Sequence, residues 1–508
     1  MSEVLMGQSY YLRFDPKLWA AMQPYPPLGS LYAAGYLRAR GYRVHFFDAM
    51  LADGESAWAE ALDRVRPRFA VIYEDNFNYL TKMCLMRMRE AARTMIRMAR
   101  ECSTTVIVAG SDATDHPDLY LGYGADFVLL GEGEATLSEL LNHLTGRSQQ
   151  PLEEILSLTW LEAADGTVHA TRRRSVMQEL DALPSPAWDL VHLERYRDIW
   201  LGRHGYFSLN MVTTRGCPFH CNWCAKPIWG QRYNVRSPEN VVAEMRQLRE
   251  LCAPDHLWFM DDILGLKPGW LAHFADLVER EGVRTPFKCL NRADLLLRPG
   301  EIGDLKRAGA QIVWVGMESG SQKILDAMEK GIQVEQVYEA TRQLRRAGIQ
   351  VAFFVQFGYP GETRDDIAQT IRVVRDLLPD DIGVSVSYPL PGTKFYERVK
   401  SQLGTQQNWY DSNDLAMLHN GPLLTAFYRQ LHRVVHLDFR LRRALADLPK
   451  ARGLRARGRL LITAIKNAVR LPFARAKLEL LARAPHRGLA PLPVSLSPSE
   501  AARPSPQD

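Results

Sequence analysis

The chain has 508 residues, 46% of them hydrophobic and 24% charged, with a formal net charge of +5. That length exceeds one ordinary core and predicts two to four globular domains; no run of eighteen uncharged apolar residues offers a membrane span, and the start MSEVLMGQSYYLRF lacks the basic residues and apolar run of a secretion signal. Fourteen Lys or Arg between Arg440 and Arg487 face only Asp447 and Glu479, so the rest of the chain is net acidic and its body is no nucleic-acid binder.

Residues 1–145 alternate short apolar runs with helical patterns. Val4–Met6, Tyr42–Phe47, Ala70–Tyr73, Thr105–Ala109 and Phe127–Leu130 read as strands, with helices over Leu28–Arg40 and Leu80–Glu101. This predicts a doubly wound, Rossmann-like parallel sheet. Ligands of such sheets sit beyond the carboxyl ends of the strands. The candidate turns are Pro26-Pro-Leu-Gly29-Ser-Leu, Ala109-Gly110-Ser111-Asp-Ala-Thr and Leu130-Gly131-Glu132-Gly133-Glu-Ala-Thr.

Residues 146–204 read as a connector, with a hairpin about Asp165-Gly166 and a Pro-bearing stretch, Leu183-Pro-Ser-Pro-Ala. From Tyr206 the strand-then-helix pattern repeats six times, with strands near 207–213, 256–261, 286–291, 311–317, 349–357 and 382–388. Six such units over 205–430 fit an open (β/α)6 barrel whose chemistry lies at the carboxyl ends of its strands.

The densest signal follows the first of these strands. Arg215-Gly216 leads into Cys217-Pro-Phe-His-Cys221-Asn-Trp223-Cys224, three of the seven cysteines in one octet. Three thiolates hold a four-iron cluster but leave one iron open, since full ligation takes four; a zinc site would want a fourth ligand that this spacing does not supply. A cluster loop and odd-numbered, unpaired cysteines fit a reducing, cytoplasmic setting. Cys84, Cys102, Cys252 and Cys289 read as small buried apolar residues.

The Cys-x3-Cys-x2-Cys spacing resembles the cluster loop of the radical S-adenosylmethionine (SAM) enzymes. That resemblance implies a 4Fe–4S cluster on Cys217, Cys221 and Cys224, with the amino and carboxylate groups of SAM on the fourth iron and a 5′-deoxyadenosyl radical as the product of electron transfer. It further implies that Trp223 lies near the adenine, Asp261 and Asp262 near the SAM amino group, and Arg292 near the SAM carboxylate, which a guanidinium fork matches. Gly316-Met-Glu318-Ser319-Gly-Ser321 resembles the ribose and carboxylate contact, and Gly358-Tyr-Pro-Gly-Glu-Thr the turn along the adenine.

The turns of residues 1–145 resemble the cobalamin-binding domain that precedes many such cores, which would place cobalamin against Gly29, Gly110, Ser111, Gly131, Glu132 and Gly133. The Asp-x-His-x-x-Gly motif of some cobalamin domains is absent, and His45 and His116 lie in other contexts, so no histidine is expected below the cobalt. The family reading implies C-methylation of an unactivated carbon in a small, lipophilic molecule. Its alternative is non-methylating radical oxidation, as in the cyclisation of a magnesium porphyrin ester; an electron-transfer or cobalamin-sensing protein is the distant one. A low-potential donor of flavodoxin or ferredoxin type is implied as reductant. Residues 75–80 and 405–440 are candidates for the substrate pocket by position.

Residues 431–490 form a basic helical region. Leu460, Leu461, Ile462, Ile465, Val469 and Phe473 alternate with Arg459, Lys466, Arg470 and Arg475, a pattern suited to an anionic membrane surface, here the inner one, or to an apolar substrate's carrier. Pro472 is expected to kink or end this helix, and the Pro/Ser-rich residues 491–508 read as a disordered tail.

Overall fold

The computed structural model describes residues 3–83, 85–162, 166–224, 226 and 228–483. Its first sheet contains β1 (Glu3–Gly7), β2 (Arg43–Phe47), β3 (Phe69–Tyr73), β4 (Thr105–Ala109) and β5 (Phe127–Leu129), all parallel. The spatial order is β2-β1-β3-β4-β5, so the topology reverses between β1 and β3, and a crevice opens beyond their carboxyl ends. Every residue of β3 is buried, as a parallel strand covered on both faces requires. Trp58, Leu62, Met95 and Ile96 cover one face, and Leu37, Leu137 and Leu141 the other. The doubly wound reading therefore holds.

The span read as a connector does two jobs. β6 (Leu158–Leu161) and β7 (Val168–Ala170) add an antiparallel hairpin to the edge of β5; the turn residues 163–165 lie outside the described residues. The Pro-bearing stretch crosses helix Leu28–Arg38, where the Ala187 N–H donates to the Leu31 carbonyl at 3.1 Å. A Cβ on Gly35 would stand 2.5 Å from the Ser185 carbonyl, so only glycine admits this crossing.

The second sheet contains β8 (Ser208–Met211), β11 (His256–Phe259), β12 (Phe287–Asn291), β13 (Ala310–Glu318), β14 (Gln350–Phe357) and β15 (Asp381–Val386), parallel and in sequence order. β8 and β15 remain at opposite edges, which makes it a partial barrel. Between β8 and β11 a short antiparallel pair, β9 (Thr214–Arg215) and β10 (Asn234–Val235), brackets the cysteine loop.

Three expectations change. The helix predicted over 80–101 is two, Tyr79–Met83 and Met86–Glu101. Leu85 is extended, and the N–H groups of Met86 and Arg87 donate to the Trp409 and Tyr410 carbonyls at 2.8 and 3.2 Å, so tertiary contacts cap a second helix start. Cys102 is exposed rather than buried, while Cys252 and Cys289 are buried; Cys84 and the tail 491–508 lie outside the described residues. Pro472 does not end its helix, which runs Leu454–Ala482. The proline is exposed, and Leu471, Ala474 and Leu478 beside it pack on Val434, Leu437 and Leu441 of helix Thr425–Asp447, so packing outweighs the one lost backbone bond.

The two sheets are joined through a buried charge cluster. Arg215, 3% exposed, pairs with Glu132 and, at 2.7 Å, with Glu134, both from the turn after β5. Its guanidinium also lies over Tyr32, Phe77 and Trp229, 5.7–5.9 Å from each ring centre. Removing one partner of such a pair strands buried charge at a cost of about 3–5 kcal/mol. Arg215→Met is predicted to lower stability by about that amount in urea unfolding, and Arg215→Lys to recover only part, because one ammonium cannot serve two carboxylates in fork geometry. A wild-type midpoint for Arg215→Met would contradict this.

Candidate active site between two strand edges

The cysteine loop is pinned at three places. At its start, Asp261 Oδ1 accepts from the N–H groups of Thr213 (2.8 Å) and Thr214 (2.6 Å) and from the Thr214 hydroxyl (2.7 Å). Gly216 then turns the chain at φ +84°, where a Cβ would stand 2.3 Å from the Arg232 carbonyl, so no other residue fits. In the middle, Asn222 donates through its backbone N–H to Met328 O (3.0 Å) and through Nδ2 to Ala327 O (2.8 Å), and its Oδ1 accepts from the Tyr359 hydroxyl (2.8 Å).

Cys217 and Cys221 are buried and Cys224 is partly so. Burial, then Asp262, pushes the Cys224 thiol up to about 12, and burial also raises Cys217. Iron must therefore displace protons that this apolar setting favours, which a thiolate-binding metal does. Among the described residues no three His, Cys, Asp or Glu side chains close around a single-ion position; a cluster instead takes one thiolate on each of several irons. Three thiols on one anchored loop fit that group.

Two cations and a carboxylate stand behind the loop. Arg292, 4% exposed, has Nη1 4.0 Å from Cys221 Sγ, stacks 3.7 Å over the Phe219 ring and pairs with Asp294 at 3.0 Å. Lys330, which sequence reasoning missed, is buried and 2.9 Å from Glu318 Oε1. Burial lowers the Lys330 ammonium, but Glu318 and Cys221 outweigh it and hold its pKa above the ordinary value. Glu318 ends β13 at φ +58°, with a register shift against β14. A non-glycine residue at that angle marks strain of the kind that collects at functional sites. Gly316 leaves room for the pair: a Cβ there would lie 2.7 Å from Lys330 Nζ.

The remaining expected contacts divide. Trp223 packs against Ile324, Met328, Tyr359 and Phe395, and Gly358, at φ +81°, donates its N–H to Glu362 Oε2 at 2.7 Å. The serine hydroxyls are already engaged: Ser319 with Thr370 at 3.1 Å and Ser321 with Asp366 at 2.6 Å. They fasten the turn to helix Arg364–Leu377, so the hydroxyls of the expected ribose and carboxylate contact are already occupied. Asp261 is likewise spent on the loop start, although its Oδ2 is buried without a partner. Asp262 points elsewhere, 3.1 Å from Lys82 of the first sheet's domain.

The glycine turns gather at the carboxyl edge of the first sheet. The Gly29 N–H donates to Asp75 Oδ1 at 2.9 Å, the Gly131 N–H donates to Thr114 Oγ1 at 2.9 Å, and a Cβ on Gly110 or Gly133 would press on Glu74 or Tyr73 at 2.8 or 2.9 Å. The Ser111 hydroxyl is 3.5 Å from Asn76 Oδ1. Glu132 is not free for a ligand, because Arg215 and the Met177 N–H (2.6 Å) take its carboxylate. This edge faces the carboxyl edge of the barrel: Phe77 stacks on Trp229 at 4.7 Å, and Lys82 reaches Asp262 at 3.1 Å. Buried polar atoms without partners, Thr81 Oγ1, Glu134 Oε2 and Trp229 Nε1, lie along the same seam, as a polar cofactor's site would leave them. His116, 4.0 Å from Asp112, borders a narrow cleft with Lys82, Asp115 and Tyr388. His45 sits away from the cleft on edge strand β2, 3.7 Å from Glu3.

Two substitutions test this geometry. Gly216→Ala is predicted to cut iron and sulfide retained after anaerobic reconstitution by at least half; undiminished loading would mean that the loop does not depend on this turn. Lys330→Met strands the Glu318 carboxylate and is predicted to cost about 3–5 kcal/mol, most of it recovered in Lys330→Met/Glu318→Gln. Additive losses in the double variant would contradict the pairing.

Residues 20–141 match the B12 binding domain family and residues 211–374 the radical SAM superfamily. An uncharacterized methyltransferase, PH0819, of Pyrococcus horikoshii is 28% identical over 325 residues, 63% of this chain and 68% of that protein. The hopanoid C-3 methylase of Methylococcus capsulatus is 27% identical over 414 residues, 80% and 75% of the two chains. An anaerobic magnesium-protoporphyrin IX monomethyl ester cyclase of Rubrivivax gelatinosus is 25% identical over 382 residues, 74% and 66%. The cobalamin-dependent SAM radical enzyme OxsB shares the fold with a TM-score of 0.69 at 15% identity, over 95% of this chain and 72% of its own. With both domains in this order and a three-cysteine loop at the head of the second, the chain belongs to the cobalamin-dependent radical SAM enzymes.

Proposed function

We propose that the protein methylates an unactivated carbon of a small, lipophilic molecule. The observation that carries this reading is the meeting of the two carboxyl edges: Lys82 and Asp262 pair across them at 3.1 Å, and the turn after β5 holds the residue two places before Cys217. A substrate in that seam would reach both cofactors at once. When bound, the cluster supplies a low-potential electron to SAM, and cobalamin carries the methyl group.

The chain's own residues bind and orient. Cys217, Cys221 and Cys224 hold the cluster, and Arg292, with Lys330 behind it, offers positive charge to the SAM carboxylate beside Cys221. Glu318 stands ready to accept from ribose hydroxyls, with Trp223 and Gly358 flanking the adenine. Gly29, Gly110, Ser111, Gly131 and Gly133 shape the cobalamin edge, while Glu132 acts through Arg215. Electrons come from a flavodoxin- or ferredoxin-type donor, and the basic C-terminal region brings the enzyme to the inner membrane surface. Oxidative cyclisation is the second reading, favoured by the cyclase among the relatives; it differs in leaving no methyl group on the product.

Anaerobic reconstitution with SAM, cobalamin and a reductant, followed by mass spectrometry of candidate lipophilic substrates, is predicted to show a gain of one methyl. Ala at any of the three cysteines abolishes 5′-deoxyadenosine formation; a triple variant that assembles a normal cluster contradicts the assignment. The protein purified anaerobically with cobalamin is predicted to retain about one equivalent per chain, a stoichiometry of one site per cobalamin domain. Its Co(II) spectrum is expected to be unchanged by His45→Ala and His116→Ala. Loss of a nitrogen coupling on His116→Ala would overturn the expectation of a cobalt without histidine.

A further inference from the structure

The terminal helix is apolar on two opposite sides. Its inner seam, Ala464, Asn467, Leu471 and Ala474, is buried. The seam is fastened by Arg475–Asp438 at 2.8 Å, by Arg364–Glu479 at 2.6 Å and by Gln430 Nε2 donating to the Ala474 carbonyl at 2.8 Å. At about 100° per residue, Ile462, Ile465, Val469 and Phe473 fall on the far side. They are 66%, 55%, 59% and 74% exposed, and Leu461 and Leu480 extend the row. Arg459, Lys466, Arg470 and Lys477 run along one flank of it.

Packing explains only the inner seam. A helix lying on a protein needs one apolar side, with polar residues outward, and a contiguous exposed apolar strip marks a contact site. Over Leu454–Arg483 eight Lys or Arg oppose a single acid, Glu479, which Arg364 already engages. Apolar residues flanked by uncompensated positive charge complement an anionic bilayer, where the strip enters the acyl boundary and the basic side chains reach lipid phosphates.

We propose that this outer strip, centred on Ile465 and Val469, is a bilayer-docking surface, with the helix lying parallel to an anionic membrane and the barrel held above it by the inner seam. The proposal specifies the membrane contact in the reading above and is independent of its chemistry.

Co-sedimentation of the full-length protein with phosphatidylcholine vesicles, with and without phosphatidylglycerol, tests it. Binding is expected only to the anionic vesicles, with release at about 0.5 M salt, where charges are screened beyond a few ångströms. Ile462→Ser/Val469→Ser/Phe473→Ser, and separately Arg459, Lys466, Arg470 and Lys477 all changed to Gln, should each weaken it at least tenfold. Because all the changed residues are exposed, far-ultraviolet circular dichroism and the melting temperature should stay at wild-type values, which separates lost binding from lost fold. Three results would overturn the proposal: no pelleting of the wild type, wild-type pelleting of the triple Ser variant, or a wild-type dimer in sedimentation velocity that the triple Ser variant dissociates.

Discussion

Arg215 is the constraint on which the site depends. It sits on β9, two residues before the first thiol, yet its partners Glu132 and Glu134 belong to the turn after β5 of the other sheet. Three charges taken out of water are tolerable only while they satisfy one another, so the two domains cannot part at this point without exposing or stranding them. The aromatic ring of Tyr32, Phe77 and Trp229 keeps the cluster dry. The cysteine loop is therefore registered against the carboxyl edge of the first sheet from its first residue.

Around that joint, rigidity and strain are distributed unevenly. Asp261, Asn222 and Gly216 fix the loop by hydrogen bonds and close packing, and Ser319, Ser321 and Thr370 fix the turn behind it. Glu318 is held at a left-handed angle, as is Glu329 beside its counter-charge Lys330. The surrounding bonds hold this strained backbone in place, and the buried Glu318 carboxylate is kept charge-paired by Lys330 rather than left alone in the interior.

Much of this was legible in the chain. Strand periodicity located the parallel strands, because buried parallel strands read as uninterrupted runs such as Phe-Ala-Val-Ile-Tyr, and the cysteine spacing is a local signal that survives without tertiary information. What the sequence hid was tertiary. Lys330 reads as one more helix-end lysine until its burial against Glu318 is seen. Glu132 reads as part of a glycine turn, and only the fold reveals that Arg215 claims it. Ser319 and Ser321 carry the right chemistry for a ribose contact, but the helix that consumes their hydroxyls begins more than forty residues later. The helix break before Met86 depends on carbonyls of Trp409 and Tyr410, and the persistence of the terminal helix through Pro472 depends on a packed seam. Neither is a local property.

The central claim is that the two carboxyl edges hold the cluster and cobalamin as one site. Electron paramagnetic resonance of the protein carrying both the reduced cluster and Co(II) cobalamin tests it most directly. The account predicts a spin–spin interaction between the two centres in the wild type, diminished in Arg215→Met. Two independent signals, the same in both proteins and equal to those of singly loaded samples, would contradict it.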